Sequence, residues 1–356
     1  MITIKEIKVE GYERVIEAQD PESGLHCYIS VHSTRLGPAL GGTRIYPYSS
    51  PAEALADALR LSKAMTYKSA LAQDGLGGGK SVIIANAKTQ KTQALLEGFG
   101  KALDSLHGLY ICAEDVGSTP EDMEVIRTVS PYVACLPREH SSGDPSRFTA
   151  WGVLRGMKAA AKFKWNDVCL RGKKIAIQGV GAVGGKLANL LFWEGANLIL
   201  SDVDHPLRHQ LELLYGARVV DDIASVPCDI MAPCALGRFL TPETVSQLQC
   251  QVIAGSANNQ LSEPHVDLLL RKKNILYAPD YVINAGGIIN AAAEFDEGGY
   301  DPRIARDRVN AIYDTLLDIF KISHRTGEPT SALADALAEE NLRNLVGRRQ
   351  KPILFD

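Results

Sequence analysis

The stretch that most restricts the fold runs from Lys174 to Asp202. Lys174-Ile175-Ala176-Ile177-Gln178 reads as a short apolar strand and opens directly into Gly179-Val180-Gly181-Ala182-Val183-Gly184. Leu187, Leu190 and Leu191 then recur at helical spacing. Asn197-Leu198-Ile199-Leu200-Ser201 follows as a second strand ending in an acid, Asp202, 21 residues after Gly181. A lone Gly-x-Gly-x-x-Gly says little, but strand, glycine loop, helix, strand and terminal acid in this order describe a dinucleotide-binding βαβ unit. Gly179 makes the tight turn, Gly181 lets the backbone approach a pyrophosphate, and Gly184 lets the helix pack on the strand. Ala182 and Val183 open the helix whose N-terminus faces the phosphates. Asp202 is placed to accept hydrogen bonds from the adenosine ribose and to repel a 2′-phosphate. No Arg or Lys lies between Ser201 and Leu207 to hold such a phosphate, so the expected cofactor is NAD rather than NADP.

At 356 residues the chain exceeds one typical core, so a second domain is expected. A net charge of -4 gives no reason to expect nucleic acid, whose binding leaves a basic face or stripe, and argues against an anionic membrane surface. No apolar run reaches bilayer-spanning length, and Met-Ile-Thr-Ile-Lys-Glu lacks a signal peptide's apolar region, so a cytoplasmic protein is expected. The seven cysteines are odd in number and show no Cys-x-x-Cys spacing, which reads as reduced thiols. The histidines contain no His-Glu-x-x-His, and the nearest pair is His205 and His209 in a polar stretch, so no metal is expected.

Before the dinucleotide unit, Leu25 to Val31 alternates, with Leu25, Cys27, Ile29 and Val31 on one face of a strand. Residues 36–42 read as a glycine loop able to press its backbone against a ligand. A helix follows, with Ser50 as N-cap, Pro51 at the first position and Glu53 completing a capping box; Leu55, Leu59 and Met65 supply its apolar stripe. It runs toward Tyr67 and leaves Lys68 at its C-terminal end, where the helix dipole favours a cation. Gly77-Gly78-Gly79 reads as a loop with access to φ > 0, and Lys80 as the entry to a buried strand over Ser81 to Ala85. A second strand, Leu109 to Ala113, ends in Glu114-Asp115, and a carboxylate at that end of an α/β strand lies where binding crevices form. Tyr132 to Leu136 reads as a short strand. Residues 137–145 are polar and breaker-rich, the candidate hinge.

The two lysines admit three readings. Gly79-Lys80-Ser81 ends like a Walker loop, but the opening glycine is replaced by Asp74, so Lys80 does not read as a nucleotide-phosphate lysine. Either both are solvated side chains on a glycine turn, or Lys80 sits in a partly dry cleft where desolvation and a neighbouring cation lower its pKa enough for acid-base work. Beyond the dinucleotide unit, strand signals at residues 229–233, 252–259 and 275–278 end in Ala/Gly/Asn loops. Helical patterns over 303–324 and 331–346 close the chain.

Over nearly its full length the chain resembles the leucine/phenylalanine/valine branch of the amino-acid dehydrogenases, relatives of glutamate dehydrogenase. The matching stretches are Gly37-Pro38-Ala39-Leu40-Gly41-Gly42-Thr43-Arg44, Met65-Thr66-Tyr67-Lys68, Gly77-Gly78-Gly79-Lys80, Ala113-Glu114-Asp115-Val116-Gly117, Ala232-Pro233-Cys234-Ala235-Leu236-Gly237, Ala257-Asn258-Asn259-Gln260 and residues 279–287. The resemblance implies an α/β protein of two domains: an N-terminal α/β substrate domain over 1–137 and a Rossmann NAD-binding domain over 138–329, with a cleft between them. A C-terminal helix over 330–356 would pack back on the first domain. It implies that Lys68 grips the substrate carboxylate, Lys80 acts on the attacking water and Asp115 shuttles the amine proton. Asn259 and the Gly41-Gly42 backbone would orient the amino acid, while Thr149, Ala235 and Asn284 would serve the cofactor. Leu40, Ala113 and Ile288 resemble the aliphatic pocket lining of leucine enzymes. Ala291 stands where valine is usual and Asp144 where asparagine is usual. A homo-oligomer is implied as well.

The expected activity is therefore reversible oxidative deamination of a branched-chain L-amino acid, leucine first, to the 2-oxo acid and ammonia. An aromatic amino-acid dehydrogenase and a catalytically silent NAD-binding protein are the alternatives. A 2-hydroxy-acid dehydrogenase would ordinarily need a histidine base, and no histidine lies in the proposed site stretches.

Overall fold

A computed structural model describes residues 1–137, 139, 141–235 and 237–355. Arg138 and His140 of the expected hinge, and Leu236 of one matching stretch, lie outside the described residues. The chain forms two compact units. One comprises Met1–Asp144, Ile288–Ile304 and Ala338–Asp356, the other Pro145–Gly287 and Ala305–Leu337. The division after Asp144 differs from the expected one after residue 137. Residues 288–304 also return to the first unit, which linear composition does not reveal.

In the first unit, strands β1 (Thr3–Glu6), β2 (Arg14–Asp20), β3 (Leu25–Ser33), β4 (Ala39–Tyr46), β5 (Gly77–Ile84) and β6 (Tyr110–Glu114) form one sheet in the order β1-β2-β3-β5-β4-β6. β5 is antiparallel to β3 and parallel to β4, and β4 is parallel to β6. Helices α2 (Gln93–Asp104) and α3 (Pro120–Arg127) cover one face, where Leu25, Cys27, Ile29 and Val31 share a core with Leu96, Phe99 and Met123. On the other face, helix α1 (Pro51–Ala72) sets Ala54 and Ala58 against Tyr28 and Val82.

Several expectations change here. Residues 39–42 are strand rather than loop, and so are all three glycines before Lys80, none of which has positive φ; Gly75 makes the left-handed turn instead (φ 75°). Lys80 is consequently mid-strand. α1 continues past Tyr67 to Ala72, Lys68 lies within it, and its last turn holds no basic residue, so the dipole account of Lys68 does not apply. Its buried stripe includes Ala54, Ala58, Ser62 and Thr66 rather than Leu55, Leu59 and Met65, because it packs closely on glycine: a Cβ on Gly78 would lie 2.0 Å from the Thr66 amide nitrogen. Ser50 caps α1 as expected, accepting from the Glu53 amide, but the Glu53 carboxylate reaches Ser49 rather than Ser50. Over 132–136 there is only a bridge from Val133 to Cys112, and the chain turns away at Cys135 (φ 62°), whose amide donates to Glu294.

The second unit has a parallel sheet of β7 (Lys174–Gln178), β8 (Asn197–Ser201), β9 (Arg218–Val219), β10 (Ile230–Pro233), β11 (Val252–Ile253) and β12 (Leu276–Tyr277). Their order, β12-β11-β10-β7-β8-β9, reverses direction at β7, the doubly wound Rossmann arrangement. The other helices are α4 (Ser146–Trp165), α5 (Ala182–Trp193), α6 (His205–Tyr215), α7 (Pro242–Gln247), α8 (Val266–Lys272), α9 (Asp280–Ile283), α10 (Gly286–Ala292), α11 (Pro302–Val309), α12 (Ile312–Thr326) and α13 (Thr330–Asn344). The single helix expected over 303–324 is interrupted at Asn310, whose side chain accepts from Trp151 Nε1. Beyond Ala338 the chain packs on α1, where Asn341 Nδ2 donates to Ala70 O at 3.0 Å. Among the described residues no helix is long and apolar enough to cross a membrane.

Candidate active site

In the first unit, glycine makes room for charge. Leu40 pairs with Gly78 and Thr43 with Ser81, so Gly41-Gly42 run alongside Gly79-Lys80. A Cβ on Gly41 would lie 1.9 Å from Gly79 O. On Gly42 it would lie 2.7 Å from Asp115 Cβ and 3.0 Å from Lys80 Nζ. Contacts this short are not tolerated, so both positions need glycine without any unusual φ. Into this space Lys80 projects, 5% exposed, with Nζ 2.5 Å from Asp115 Oδ2.

Burial pushes the Lys80 ammonium below its ordinary pKa; Asp115 opposes that, and the nearby Arg44 guanidinium adds to it. For Asp115, burial alone would raise the carboxyl, but Lys80 and Arg44 outweigh it and hold it down to about 2. The result is a fixed carboxylate beside a lysine biased toward its neutral form, a pair able to relay protons. Asp115 directly follows β6, as expected. Ala113, paired with Gly42, lies two residues before it, and Leu40 is buried on β4. Ile288 and Ala291 are buried on α10. Lys68 is half-buried on α1, two residues beyond Thr66.

In the second unit, Gly179 takes φ 87°, and a Cβ there would lie 2.6 Å from Ala235 N. A Cβ on Gly184 would meet Gly179 O at 1.9 Å, whereas one on Gly181 meets nothing within 4 Å. Gly181 therefore faces open space, and α5, which begins at Ala182 and continues through Val183, has no side-chain cap on its first turn. That suits a phosphate. Asp202 stands at the loop's edge, its Oδ2 accepting from the Val180 amide at 2.7 Å and its Oδ1 from the Asp204 amide at 2.8 Å.

Thr149 lies in the first turn of α4, and a Cβ on Gly287 would come within 2.8 Å of its Oγ1. Asn284 is buried; its Nδ2 donates to Ser256 O and Asn258 Oδ1, while its Oδ1 has no hydrogen-bond partner. A buried acceptor left so costs about 1–3 kcal/mol unless a ligand supplies a donor, which a nicotinamide carboxamide can do. Asn259 adopts φ 53°, which asparagine tolerates, and its carbonyl accepts from the Arg238 amide. The residues present fit a dinucleotide.

Three residues had no role in the sequence reading. Arg44 lies two positions after Gly42, hence on the same face of β4, and period-two spacing could have found it. Gln178 ends β7 with its Oε1 unpartnered. Arg208 lies one residue beyond the cation-free stretch from Ser201 to Leu207. Its Nη1 is 3.4 Å from Asp202 O and 2.7 Å from Asp221 Oδ1, so an acid already holds it.

Residues 12–130 match the family profile "Glu/Leu/Phe/Val dehydrogenase, dimerisation domain", and residues 200–318 match "Glutamate/Leucine/Phenylalanine/Valine dehydrogenase". Leucine dehydrogenase of Thermoactinomyces intermedius is 48% identical over 93% of this chain and 91% of its own. L-tryptophan dehydrogenase of Nostoc punctiforme is 43% identical over 99% of both. A crystal structure of L-tryptophan dehydrogenase from that organism superposes with a TM-score of 0.81, covering 94% of this chain and 97% of that one. With the Rossmann sheet, the Lys80–Asp115 pair and these likenesses together, the chain belongs to the Glu/Leu/Phe/Val dehydrogenase family, as an amino-acid dehydrogenase that uses a nicotinamide cofactor.

Proposed function

We propose that this dehydrogenase carries out the reversible NAD-dependent oxidative deamination of a branched-chain aliphatic L-amino acid, leucine first, to the 2-oxo acid and ammonia. The observation that carries it is the buried 2.5 Å pair of Lys80 and Asp115 on a glycine floor. Lys68 holds the substrate α-carboxylate, and the Gly41-Gly42 backbone and Asn259 orient the amino acid. Gly179, Gly181, Ala182, Val183, Gly184, Asp202 and Ala235 hold the dinucleotide, with Thr149 and Asn284 beside the nicotinamide, which when bound accepts the hydride from Cα. Neutral Lys80 takes a proton from the water that attacks the imino carbon. Asp115 carries a proton from the hydroxyl of that adduct to its nitrogen, the C–N bond breaks, and ammonia leaves as the carbonyl forms. NAD over NADP is supported by Asp202 and by the engagement of Arg208 with Asp221.

Leucine is supported by the apolar Leu40, Ala113, Ile288 and Ala291. A side-chain carboxylate among them would be buried unpaired at a cost of several kcal/mol, which excludes glutamate. Ala291, small where valine is usual, favours a second reading, an aromatic substrate, as does the full-length likeness to L-tryptophan dehydrogenase. A homo-oligomer fits the dimerisation-domain match. The deciding measurement is kcat/KM by NADH formation across leucine, valine, isoleucine, phenylalanine, tryptophan and glutamate. Leucine is expected to lead and glutamate to give nothing; a value for phenylalanine or tryptophan well above that for leucine replaces the first reading with the second.

A further inference from the structure

From the geometry around Asp115 we infer that Arg44 is a positioning residue of the reaction, bridging Asp115 to an anchored carboxylate on α1 and sharing the Asp115 oxygen with Lys80. The inference rests on the reading of Lys80 and Asp115 as the proton-handling pair. Arg44 Nε donates to Asp115 Oδ2 at 3.1 Å, the same oxygen that lies 2.5 Å from Lys80 Nζ. Its Nη1 donates to Asp57 Oδ2 at 2.9 Å. Asp57 is itself fixed, accepting from Tyr48 OH at 2.7 Å and from Arg60 Nη2 at 2.6 Å. On the other side, the Asp115 amide donates to Ser118 Oγ, which donates to Thr43 O. The carboxylate is thus held by Arg44 from β4, Arg44 is held by Asp57 on α1, and the Asp115 backbone is held by its own loop.

An undivided carboxylate would hold a buried lysine charged, and a charged lysine cannot accept a proton from water. A second cation on the same oxygen weakens that hold and repels the ammonium. The other charged and titratable groups around the pair do not replace it. Asp57 on α1 favours the Lys80 ammonium, and Arg60 is spent on Asp57. Glu114 on β6 is pushed up by burial and by the neighbouring Asp144, Glu121 and Asp115. Tyr110 and Cys112 are buried and raised, so both stay protonated.

The test is the pH dependence of kcat/KM for oxidative deamination. Its acid limb reports conversion of Lys80 to the neutral form, so the rate rises as pH rises through it. Arg44→Gln removes a positive charge and is expected to move that limb to higher pH by about one unit, roughly a tenfold loss below the limb with recovery above it. Arg44→Lys keeps the charge and should leave the limb near its wild-type position, with a lower kcat at every pH. Asp57→Asn removes an anion while leaving the cation, so its limb should move the opposite way, and it carries the test if Arg44→Gln does not fold. A folded Arg44→Gln with an unmoved limb and a uniform loss would overturn the inference, leaving Arg44 a structural brace. Lys80→Ala run alongside separates the two levels: a wild-type profile in that variant sinks the underlying reading, whatever Arg44 does.

Discussion

In the second unit, Gly179 is needed for its backbone angle, φ 87°, at a turn between a strand and a helix; in the first, Gly41, Gly42, Gly78 and Gly79 sit in extended strands where any residue could adopt the dihedrals. Their need for glycine is set by neighbours from elsewhere in the chain: Gly79 O over Gly41, the Lys80–Asp115 pair over Gly42, Thr66 over Gly78 and the Tyr110 ring over Gly79. The turn glycine shapes a cradle for a ligand. The strand glycines let a helix and two side chains approach a sheet far more closely than a Cβ permits, which dries the lysine and lowers its pKa.

The largest effect is expected at Lys80. Lys80→Ala should lower kcat by roughly 10²–10⁴-fold while calorimetry finds NAD affinity nearly unchanged, since only the first unit is touched. Equal loss of NAD binding would mean that the two glycine systems do not divide the work.

A smaller effect is expected of Gly42→Ala, whose methyl would displace Lys80 and Asp115. Misplacement on the ångström scale is worth roughly 10²-fold in kcat, with NAD binding retained. Gly181→Ala is the matching change in the other unit. Its Cβ meets nothing in the protein, so melting temperature should be unaffected, while NAD Kd should rise if a ligand backbone occupies that space. Unchanged NAD binding in Gly181→Ala would show that the open space is not the phosphate site.

Lys68→Ala should mainly raise KM for the amino acid with less change in kcat, as expected on losing ground-state binding. A kcat loss as large as that of Lys80→Ala would place Lys68 in the proton chemistry instead. The smallest effect belongs to Ala291→Val, about 1–3 kcal/mol of discrimination at most, reducing any activity on phenylalanine more than activity on leucine. Equal reduction of both would remove Ala291 from the substrate pocket.

How much could be read in advance follows the same division. The strand–loop–helix–strand run from Lys174 to Asp202 is local, each part specified by residues within a few positions, and it appears in the structure as β7, α5 and β8 with Asp202 at the loop. The N-cap at Ser50 is equally local. Propensity alone reads the three glycines before Lys80 as a loop, because glycine disfavours strands. What overrides that is pairing with β3 and β4, residues 30 or more positions away. The stripe of α1 differs from the expected one for the same reason: large residues normally mark the buried face, but a helix packed on glycine buries its small ones.

By itself the sequence determined the dinucleotide unit, the seven stretches that carry the family, and the residue types available for the chemistry, Lys68, Lys80 and Asp115 among them. Only the tertiary structure decided that Lys80 lies mid-strand, that Arg44 and Lys80 share one oxygen of the Asp115 carboxylate, and that residues 288–304 belong with the first unit. The reason is range. Turns, caps and motif spacings are encoded by neighbours along the chain, whereas desolvation, shared oxygens and forbidden Cβ positions come into being only when distant strands are side by side.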